Sequence, residues 1–324
     1  MTLGSSASVT DPGRRRRRNE DSYVCEPPLF AIADGMGGAQ AGEVASRLAA
    51  AVLQEANGAE LSEARIAELI QEANRRVFQR SNEDAATSGM GTTMTVALVD
   101  DPGESIVVGH VGDSRAYRVR DGELEQLTED HSLVGELLRS GRLSAEEAEI
   151  HPQRSVITRA IGTEPDVDVD TFTIPARPGD LFLLCSDGLT DMISDREILA
   201  LLAGEGDLDT AARGLVDAAN TAGGEDNITV VLFQIAAPGD DTVRLPASAA
   251  PPEHEPELED TLSGLEAVPA VDTAVVSAED VREHIRREEA REEDARQPRR
   301  VLPLLLLLLL VATVIALVIW GLYR

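Results

Sequence analysis

Four short segments of the sequence place an aspartate beside glycine or asparagine, next to an apolar run typical of a strand. Three of them end such a run (LFAIADGMGG, VVGHVGDSR and LFLLCSDGLTD), and the fourth, GGEDNITVV, begins one. A carboxylate at a strand end can be presented from a rigid scaffold into a shared cleft. Several carboxylates in one cleft repel each other unless a cation neutralises them. Oxygen ligands without cysteine or histidine suit Mg²⁺ or Mn²⁺, so the pattern predicts a divalent-metal site.

Each segment alone also has an ordinary structural explanation. Asp-Gly is a common turn, and a single aspartate at a strand end often caps a turn or a helix. The recurrence of four such segments in one chain favours the metal-site interpretation over four separate turns.

The charge of the chain excludes one class of partner. Its 324 residues carry a formal net charge of −29, which is too acidic for a general nucleic-acid binder. The arginine run from Arg14 to Arg18 resembles a basic nucleic-acid or nuclear-import signal, but the acidity argues against that reading. The two cysteines, Cys25 and Cys185, lie in separate apolar runs. They are predicted to be reduced thiols rather than a disulfide or a metal site.

Composition divides the chain into three zones. Residues 1–238 have the apolar runs, glycines and turn residues of a globular domain. Residues 239–300 are acidic, contain several prolines and lack aromatic residues, so they cannot bury enough apolar surface to become ordered; they are predicted to be a juxtamembrane linker. No charged residue occurs in 301–322, and 301–323 is predicted to be a transmembrane helix because about 20 apolar residues span a bilayer.

Arginines around the apolar segment predict its orientation. Arg299 and Arg300 precede it and only Arg324 follows, so the positive-inside rule places the N-terminal side in the cytoplasm. Residues 1–13 lack the apolar core of a signal peptide. The expectation is a single-pass protein of the cell membrane whose globular domain is cytoplasmic.

Residue patterns in the first zone predict an α+β domain. Strand-like runs, separated by turn residues, lie at 29–33, 92–100, 105–111, 116–120, 167–174, 180–186 and 227–235. Helical periodicity appears at 40–57, 62–82, 132–140, 195–203 and 208–220. Because the strands cluster instead of alternating strictly with helices, a Rossmann-type sheet is disfavoured. Two sheets packed on each other with helices outside fit better.

The motifs ADGMGG (33–38), GDSR (112–115), SDGLTD (186–191) and EDN (225–227) together resemble those of the metal-dependent protein phosphatase family, protein phosphatase 2C. The segment TDPGRRRRRNEDSY (10–23) resembles the family's opening motif, in which an arginine lies five residues before the aspartate of an N-E-D triplet. That arginine would be Arg16. The resemblance covers residues 8–236 and implies a four-layer α-β-β-α sandwich with a dinuclear metal site at one end.

The resemblance also implies roles for individual residues. Two or three Mn²⁺ or Mg²⁺ ions would be held by Asp34, Gly35 (through its carbonyl), Asp187, Asp226, Glu20, Asp21, Asp113 and Asp191. Asp34 would bridge two ions and is counted as catalytic. Asp113 and Asp191 would hold a third, weaker ion. Arg16 would be catalytic by binding the phosphate, and Asn227 would help to orient the ligands.

The implied activity is that of a protein-serine/threonine phosphatase, in which a water activated by two metal ions attacks the phosphorus directly. The general acid stays open. Met36 occupies the position at which some family members have a histidine, and His131 is one candidate, although it could instead cap the following helix. The polar stretch 132–150 resembles the mobile flap beside the cleft of such enzymes.

Partners follow from the same resemblance. The chain is similar to membrane-anchored bacterial phosphatases that reverse membrane Ser/Thr kinases, so the expected partners are phosphoprotein substrates, including such a kinase and its targets. One alternative is a non-catalytic phosphoprotein-binding scaffold of the same fold, which the intact Asp34, Asp187 and Asp226 argue against. A second is a phosphatase tuned to one regulatory protein, for which no sensor domain is visible.

Overall fold

The computed structural model describes residues 2–37, 41–56, 62–100, 104–144, 147–148, 151–204, 207–236 and 274–275. The predicted linker, apart from its residues 274–275, and the predicted transmembrane helix at 301–323 lie outside the described residues. No helix within the described ranges is both long enough and apolar enough to cross a membrane.

Two antiparallel sheets form the centre of the fold. The strands of the first are β1 (Thr2–Asp11), β7 (Arg115–Arg120), β8 (Glu123–Gln126), β11 (Leu181–Cys185) and β12 (Ile228–Ala236), in the spatial order β1-β12-β11-β7-β8. The strands of the second are β2 (Asp21–Glu26), β3 (Leu29–Met36), β4 (Gly91–Thr92), β5 (Met94–Val99), β6 (Ser105–Val111) and β10 (Asp170–Pro175). Their order is β10-β6-β5-β3-β2, and β4 pairs with β3. A separate parallel pair joins β9 (Val156–Ile157) and β13 (Ala274–Val275).

Six helices and one 3₁₀ turn complete the described elements. They are α1 (Ala41–Ala56), α2 (Glu63–Glu83), the 3₁₀ turn Ala85–Thr87, α3 (Leu133–Arg139), α4 (Asp187–Thr190), α5 (Asp195–Leu202) and α6 (Leu208–Ala222). Several begin at a side chain that satisfies a free amide of the first turn. Ser62 accepts from Arg65 before α2, and Ser194 and Glu197 form a capping box at α5.

Three apolar clusters define four layers. Between the sheets, the ring of Phe233 stacks on Phe30 at 4.2 Å and on Phe182 at 5.0 Å, measured between centroids. A second cluster joins α1 and α2 to the outer face of the second sheet, and a third joins α5 and α6 to the outer face of the first. This α-β-β-α order confirms the predicted α+β fold of two packed sheets with helices outside.

Five strands were not predicted, namely β1, β2, β8, β9 and β13. β1 reads TLGSSASVTD and β2 reads DSYVCE, and neither has the apolar content of a central strand. β1 is nevertheless ordered because it pairs along its length with β12, from Thr2 beside Ala236 to Asp11 beside Ile228. A tertiary partner, not local propensity, makes this strand.

Two predicted boundaries were wrong. The run 92–100 is divided into β4 and β5 at Thr93, whose amide donates to the carbonyl of Asp34 (2.8 Å). The strand predicted at 167–174 begins only at Asp170. The helix predicted at 132–140 is confirmed as α3, which ends at Arg139, and Gly141 then takes a positive φ of 71°, the usual way in which a chain leaves a helix.

Candidate metal centre and active site

The predicted carboxylates lie where strands of both sheets end. Asp21 and Asp34 face each other across β2 and β3. Asp187 follows β11 at the first residue of α4, and Asp226 precedes the neighbouring β12. Asp113 follows β6 in the second sheet. The packing of the two sheets therefore brings motifs that are far apart in sequence to one end of the sandwich.

The carboxylates raise one another's pKa values. Burial raises the pKa of Asp34 well above its usual range, and the negative charges that raise it further belong to Asp21, Asp187, Asp226 and Asp113. Burial also raises the pKa of Asp21 to about 6, against the opposing hydrogen bonds that it accepts. These mutual effects identify the carboxylates as one electrostatic cluster.

The remaining predicted ligands behave in the same way. Burial, with the charges of Asp130 and Asp191, raises the pKa of Asp113 to about 7. Burial and the charge of Asp113 raise the pKa of Asp187 well above its usual range. The pKa values of Asp191 and Glu20 are raised as well, in both cases mainly by burial.

Unpartnered oxygen atoms support a cation at this cluster. The Oδ1 atoms of Asp21, Asp113 and Asp187 are buried and accept no hydrogen bond, and they are three of the six such side-chain atoms in the described part of the chain. A buried acceptor without a donor costs free energy, more so when it is charged. A divalent ion would satisfy these oxygens, so the residues present fit the predicted metal.

No group of three or more histidine, cysteine or acidic side chains among the described residues is arranged so that it could hold an ion as it stands. Mg²⁺ usually keeps several waters and takes only one or two carboxylates from a protein. A site of that kind needs two carboxylate oxygens and nearby carbonyls, which this cluster offers.

Gly35 and Gly42 allow the backbone to pack closely at the predicted ligands Gly35 and Glu20, where a side chain would not fit. A Cβ on Gly35 would lie 2.2 Å from the carbonyl oxygen of Gly42 and 2.5 Å from that of Glu20. A Cβ on Gly42 would lie 2.3 Å from Oε2 of Glu20 and 2.7 Å from the carbonyl oxygen of Gly35. The Gly35 carbonyl and the Glu20 carboxylate therefore lie together against the first turn of α1, a role for Gly42 that the sequence did not reveal.

Two hydroxyl groups fix Asp21. Its Oδ2 accepts from Thr229 Oγ1 (2.6 Å) and from Ser186 Oγ (3.0 Å), and both donors are fully buried. Asp21 thus ties the end of β2 to the neighbouring ends of β11 and β12, and leaves Oδ1 for another ligand. Sequence reasoning missed both hydroxyls, although Ser186 directly precedes Asp187 and Thr229 stands in the run that follows the EDN motif.

Two threonines hold the turn that carries Asp34. Thr93 Oγ1 accepts from the Asp34 amide (2.9 Å), and Thr92 Oγ1 donates to the Asp34 carbonyl (2.8 Å). The backbone of Asp34 is thereby fixed on both sides while its carboxyl stays free of these donors. The paired threonines at the start of the predicted strand were the only sequence signal for this role.

Arg16 lies at the rim of the acidic cluster and pairs with one of its members. Its Nη2 donates to Oδ2 of Asp226 at 2.8 Å, so the cation and the predicted ligand form a half-buried ion pair. The amides of Arg14 and Arg15 anchor the arginine segment by donating to the Gly224 carbonyl (2.7 and 3.1 Å).

Asn227 orients the arginine segment. Its Nδ2 donates to the carbonyls of Pro12 (3.0 Å) and Arg18 (2.8 Å), and its Oδ1 accepts from the Glu20 amide (2.8 Å). Only 4% of the surface of Asn227 is exposed. All three of these hydrogen bonds go to backbone atoms of the segment that carries Arg16 and Glu20. Asn227 therefore positions the loop before β2, a more specific role than the ligand orientation that was expected.

None of the three histidines in the described ranges hydrogen-bonds to a carboxylate of the cluster. His131 is 3% exposed, and its ring nitrogens face the Gly112 amide and the Asp170 carboxylate. His110 is fully buried, and burial lowers its pKa to about 3. His151 Nδ1 accepts from the Gln153 amide. His131 is therefore not placed as a general acid.

Among the described residues that follow the predicted flap (132–150), Arg154 contacts the cluster. Arg154 Nε lies 3.3 Å from Oδ2 of Asp191, which is a predicted ligand of the third ion. Both side chains are partly exposed, so the ion pair is open to solvent and to competing cations.

Comparisons with known proteins agree with this geometry. The family model for protein phosphatase 2C matches residues 17–222. The serine/threonine phosphatase stp of Listeria monocytogenes serotype 4b is 43% identical over 237 residues, which are 69% of this chain and 93% of that protein. The serine/threonine protein phosphatase PstP of Mycobacterium tuberculosis is 41% identical over 232 residues, 71% of this chain but 44% of that protein. A crystal structure of the PstP catalytic domain with two manganese ions covers 72% of this chain and 99% of that one, at 37% identity and a TM-score of 0.67.

Binding of Mn²⁺ should release protons, and more at about pH 6.5 than at about pH 8. The raised pKa values of Asp21 (about 6) and Asp113 (about 7) mean that these carboxyls are partly protonated at about pH 6.5 and largely ionised at about pH 8, and a cation displaces the bound protons. Calorimetry of Mn²⁺ binding in two buffers of different ionisation enthalpy measures the release. The variant Asp113→Asn should release fewer protons than the parent. Binding heats that are independent of the buffer at the lower pH would contradict the prediction.

Proposed function

The chain belongs to the protein phosphatase 2C family, and on that premise we propose how its own residues carry out the reaction and where. The chain is a metal-dependent protein-serine/threonine phosphatase, as its relatives are. The observation that carries the residue assignment is the cluster of carboxylates that raise one another's pKa and leave buried oxygens without a donor.

Two divalent ions would be held by Asp34, the Gly35 carbonyl, Asp187 and Asp226. A third ion would be held more weakly by Asp113 and Asp191. Bound divalent ions supply charge compensation for the phosphate and activate water at neutral pH. Glu20 and Asp21 would contact the ions partly through water, because Oδ2 of Asp21 already accepts hydrogen bonds from two hydroxyl groups.

Arg16 binds the phosphate of the substrate. A guanidinium can hold two phosphate oxygens at once, and its charge steadies the transition state. Its ion pair with Asp226 keeps the side chain directed at the cluster before the substrate arrives. Asn227 holds the backbone of the arginine segment, so the geometry of Arg16 is fixed from both ends.

A proton for the leaving serine or threonine oxygen comes from water in this proposal. Met36 stands where some relatives have a histidine, and it is buried. The described histidines make their hydrogen bonds elsewhere, and the partly exposed edge at Asp191 admits solvent.

Replacing Asp187 with asparagine should lower kcat at least about 100-fold, because the isosteric amide removes a charged metal ligand. The thermal stability of the metal-free variant should not fall, because a repulsive charge is removed from the cluster. The assay is Mn²⁺-dependent phosphate release from a phosphothreonine peptide, after metal has been stripped with chelator. Asp217→Asn, at an exposed position on α6, is the matched control.

Near-parental activity in a folded Asp187→Asn variant would refute the metal assignment. Absence of phosphate release from the folded, metal-loaded parent would instead favour the phosphoprotein-binding scaffold.

The variant Arg16→Ala should lose about 100-fold in kcat/KM, as expected when one charged donor to the transition state is removed. Its affinity for Mn²⁺ should not decrease, because Asp226 loses a competing cation. Arg17→Ala, one residue away and exposed, should stay within about twofold of the parent. If Arg16→Ala instead weakened metal binding, Arg16 would serve to hold Asp226 and not the phosphate.

The cellular setting is the second part of the proposal. The uncharged segment 301–322 anchors the enzyme in the cell membrane, with the catalytic domain, residues 1–238, in the cytoplasm. Residues 239–300 form the tether. Membrane Ser/Thr kinases and their targets are then the substrates, because sharing one membrane raises their effective concentration without any additional contact.

The full chain should remain in the membrane pellet after alkaline carbonate extraction. The double variant Leu308→Arg and Val314→Arg should move to the supernatant, because each arginine at the centre of a span costs about 3 kcal/mol. Leu308→Ala with Val314→Ala is the control that keeps the segment uncharged and should stay in the pellet. A full chain found in the supernatant would refute the anchor.

A further inference from the structure

The arginine segment, Arg14 to Arg18, carries more positive charge than the reaction needs. The opening motif of the family accounts for Arg16 alone, and the side chains of Arg14 and Arg15 have no part in the reaction. Five adjacent cations repel one another, and blocks of like charge are usually disordered. A block that is kept ordered despite this repulsion suggests an anionic ligand.

Hydrogen bonds to the backbone keep the segment ordered. The amides of Arg14 and Arg15 both donate to the Gly224 carbonyl (2.7 and 3.1 Å). Further along, Asn227 Nδ2 donates to the Arg18 carbonyl (2.8 Å). Because these bonds use main-chain atoms of the segment, the guanidinium groups of Arg14 and Arg15 are left for other partners.

Two glycines lock the segment against the loop that carries Asp226. Gly13 has a φ of +78°, and a Cβ there would lie 2.2 Å from the Asp226 carbonyl oxygen. Gly224 has a φ of +53°, and a Cβ there would lie 2.9 Å from the Arg14 amide nitrogen. Glycine alone allows both close approaches. The start of the segment is therefore fixed relative to Asp226, and the ion pair of Asp226 fixes Arg16 at the same place.

The side chains of Arg14 and Arg15 are exposed and have no strong partner. Arg14 is 59% exposed, and its Nη1 lies 3.9 Å from Oδ1 of Asp11, which is too far for a hydrogen bond. That oxygen already accepts from the Gly13 amide (2.9 Å). Arg15 is exposed as well, and it forms no ion pair with any residue that the structure describes. Two guanidinium groups thus lie beside the phosphate-binding residue without a strong acidic partner.

A phosphate group fits this pair of arginines. A guanidinium binds phosphate through two parallel hydrogen bonds, and two guanidinium groups balance the charge of about −2 that a phosphorylated side chain carries at neutral pH. The Cα atoms of Arg14 and Arg16 are at most about 7.6 Å apart, since each peptide unit spans about 3.8 Å. An extended substrate rises about 3.3 Å per residue, so groups bound at the two places are a few residues apart.

We propose that Arg14 and Arg15 form a specificity site for a second phosphate, which selects substrates with another phosphorylated residue about two to four positions from the phosphothreonine. The inference rests on the proposed function, in which Arg16 binds the reacting phosphate. Because the second phosphate does not react, the two arginines act on substrate binding and not on the chemical step.

An anionic membrane surface is another ligand with phosphate chemistry, and it fits less well. The chain has 58 acidic against 29 basic residues, and the exposed Glu225 follows the anchoring Gly224 directly. An extended anionic surface would meet this acidic surface together with the arginines and be repelled by it. A single phosphate on a peptide contacts the arginines alone.

The experiment uses the full chain, loaded with Mn²⁺, in micelles of an uncharged detergent. Two phosphothreonine peptides are compared that differ at one position within the proposed spacing. One peptide has serine there, and the other has a phosphonate analogue of phosphoserine that cannot be hydrolysed. All phosphate released therefore comes from the phosphothreonine, and turnover of the serine peptide shows that each variant is folded.

The parent should have a kcat/KM about tenfold higher for the phosphonate peptide, as expected for two exposed charge contacts. The difference should lie in KM, and kcat should be the same for both peptides. At about 1 M salt the preference should shrink, because the Debye length falls to about 3 Å.

Substitutions test whether the two arginines cause the preference. Arg14→Gln with Arg15→Gln removes both charges but keeps the amides that donate to Gly224, and the preference should vanish. The matched control, Arg177→Gln with Arg213→Gln, removes two exposed arginines elsewhere and should keep the preference of the parent. Lysine at positions 14 and 15 keeps the charge but loses the paired donors, so an intermediate preference is expected.

Four outcomes overturn the inference. If the parent hydrolyses both peptides equally well, there is no site for a second phosphate. If the double glutamine variant keeps the preference, other residues cause it, and if the control loses it, overall charge causes it. If the parent and the double glutamine variant differ only after anionic phospholipid is added to the micelles, the arginines bind a membrane surface.

These four outcomes leave the proposed function standing, because each requires phosphate release from the phosphothreonine. Absence of release from both peptides by the folded, metal-loaded parent would instead contradict the proposed function itself.

Discussion

Repulsion among buried carboxylates is the constraint around which this fold is arranged. Asp21, Asp34, Asp113 and Asp187 lie close enough at one end of the sandwich to raise one another's pKa values, at a cost in stability that only a cation or a proton can remove. The sheets must therefore supply rigidity that resists the repulsion. The stacked rings of Phe30, Phe182 and Phe233 provide it between the sheets.

Neutral hydrogen-bonding groups hold the charged ones in place. Threonine and serine hydroxyls fix the backbone of Asp34 and one oxygen of Asp21, and neither support adds charge to the cluster. The neutral ring of His131 acts in the same way toward the turn at Asp113. Two cations, Arg16 and Arg154, pair with partly exposed aspartates at the rim of the cluster.

The sequence predicted the site better than it predicted the strands. Aspartates next to glycine at strand ends are visible because their chemistry is unusual beside apolar runs, and the structure brings Asp34, Asp187 and Asp226 together. β1 was missed because its serine-rich sequence forms a strand only against β12. Ser186 and Thr229 were missed because a buried hydroxyl looks like any other small polar residue until its partner is known. Contacts between distant segments, which no local pattern encodes, account for most of what was not predicted.

The pairing of β1 with β12 bears on how the enzyme is made in the cell. Arg16 and its partner Asp226 are 210 residues apart, and β12 is the strand between β1 and β11. A chain still emerging from the ribosome lacks Asp226 until translation has passed that residue, and it has no complete first sheet until translation has passed residue 236. A shorter nascent chain lacks part or all of β12, the strand that joins β1 to β11. The strand order therefore links assembly of the site to synthesis of the whole domain, because its first and last segments must both be present.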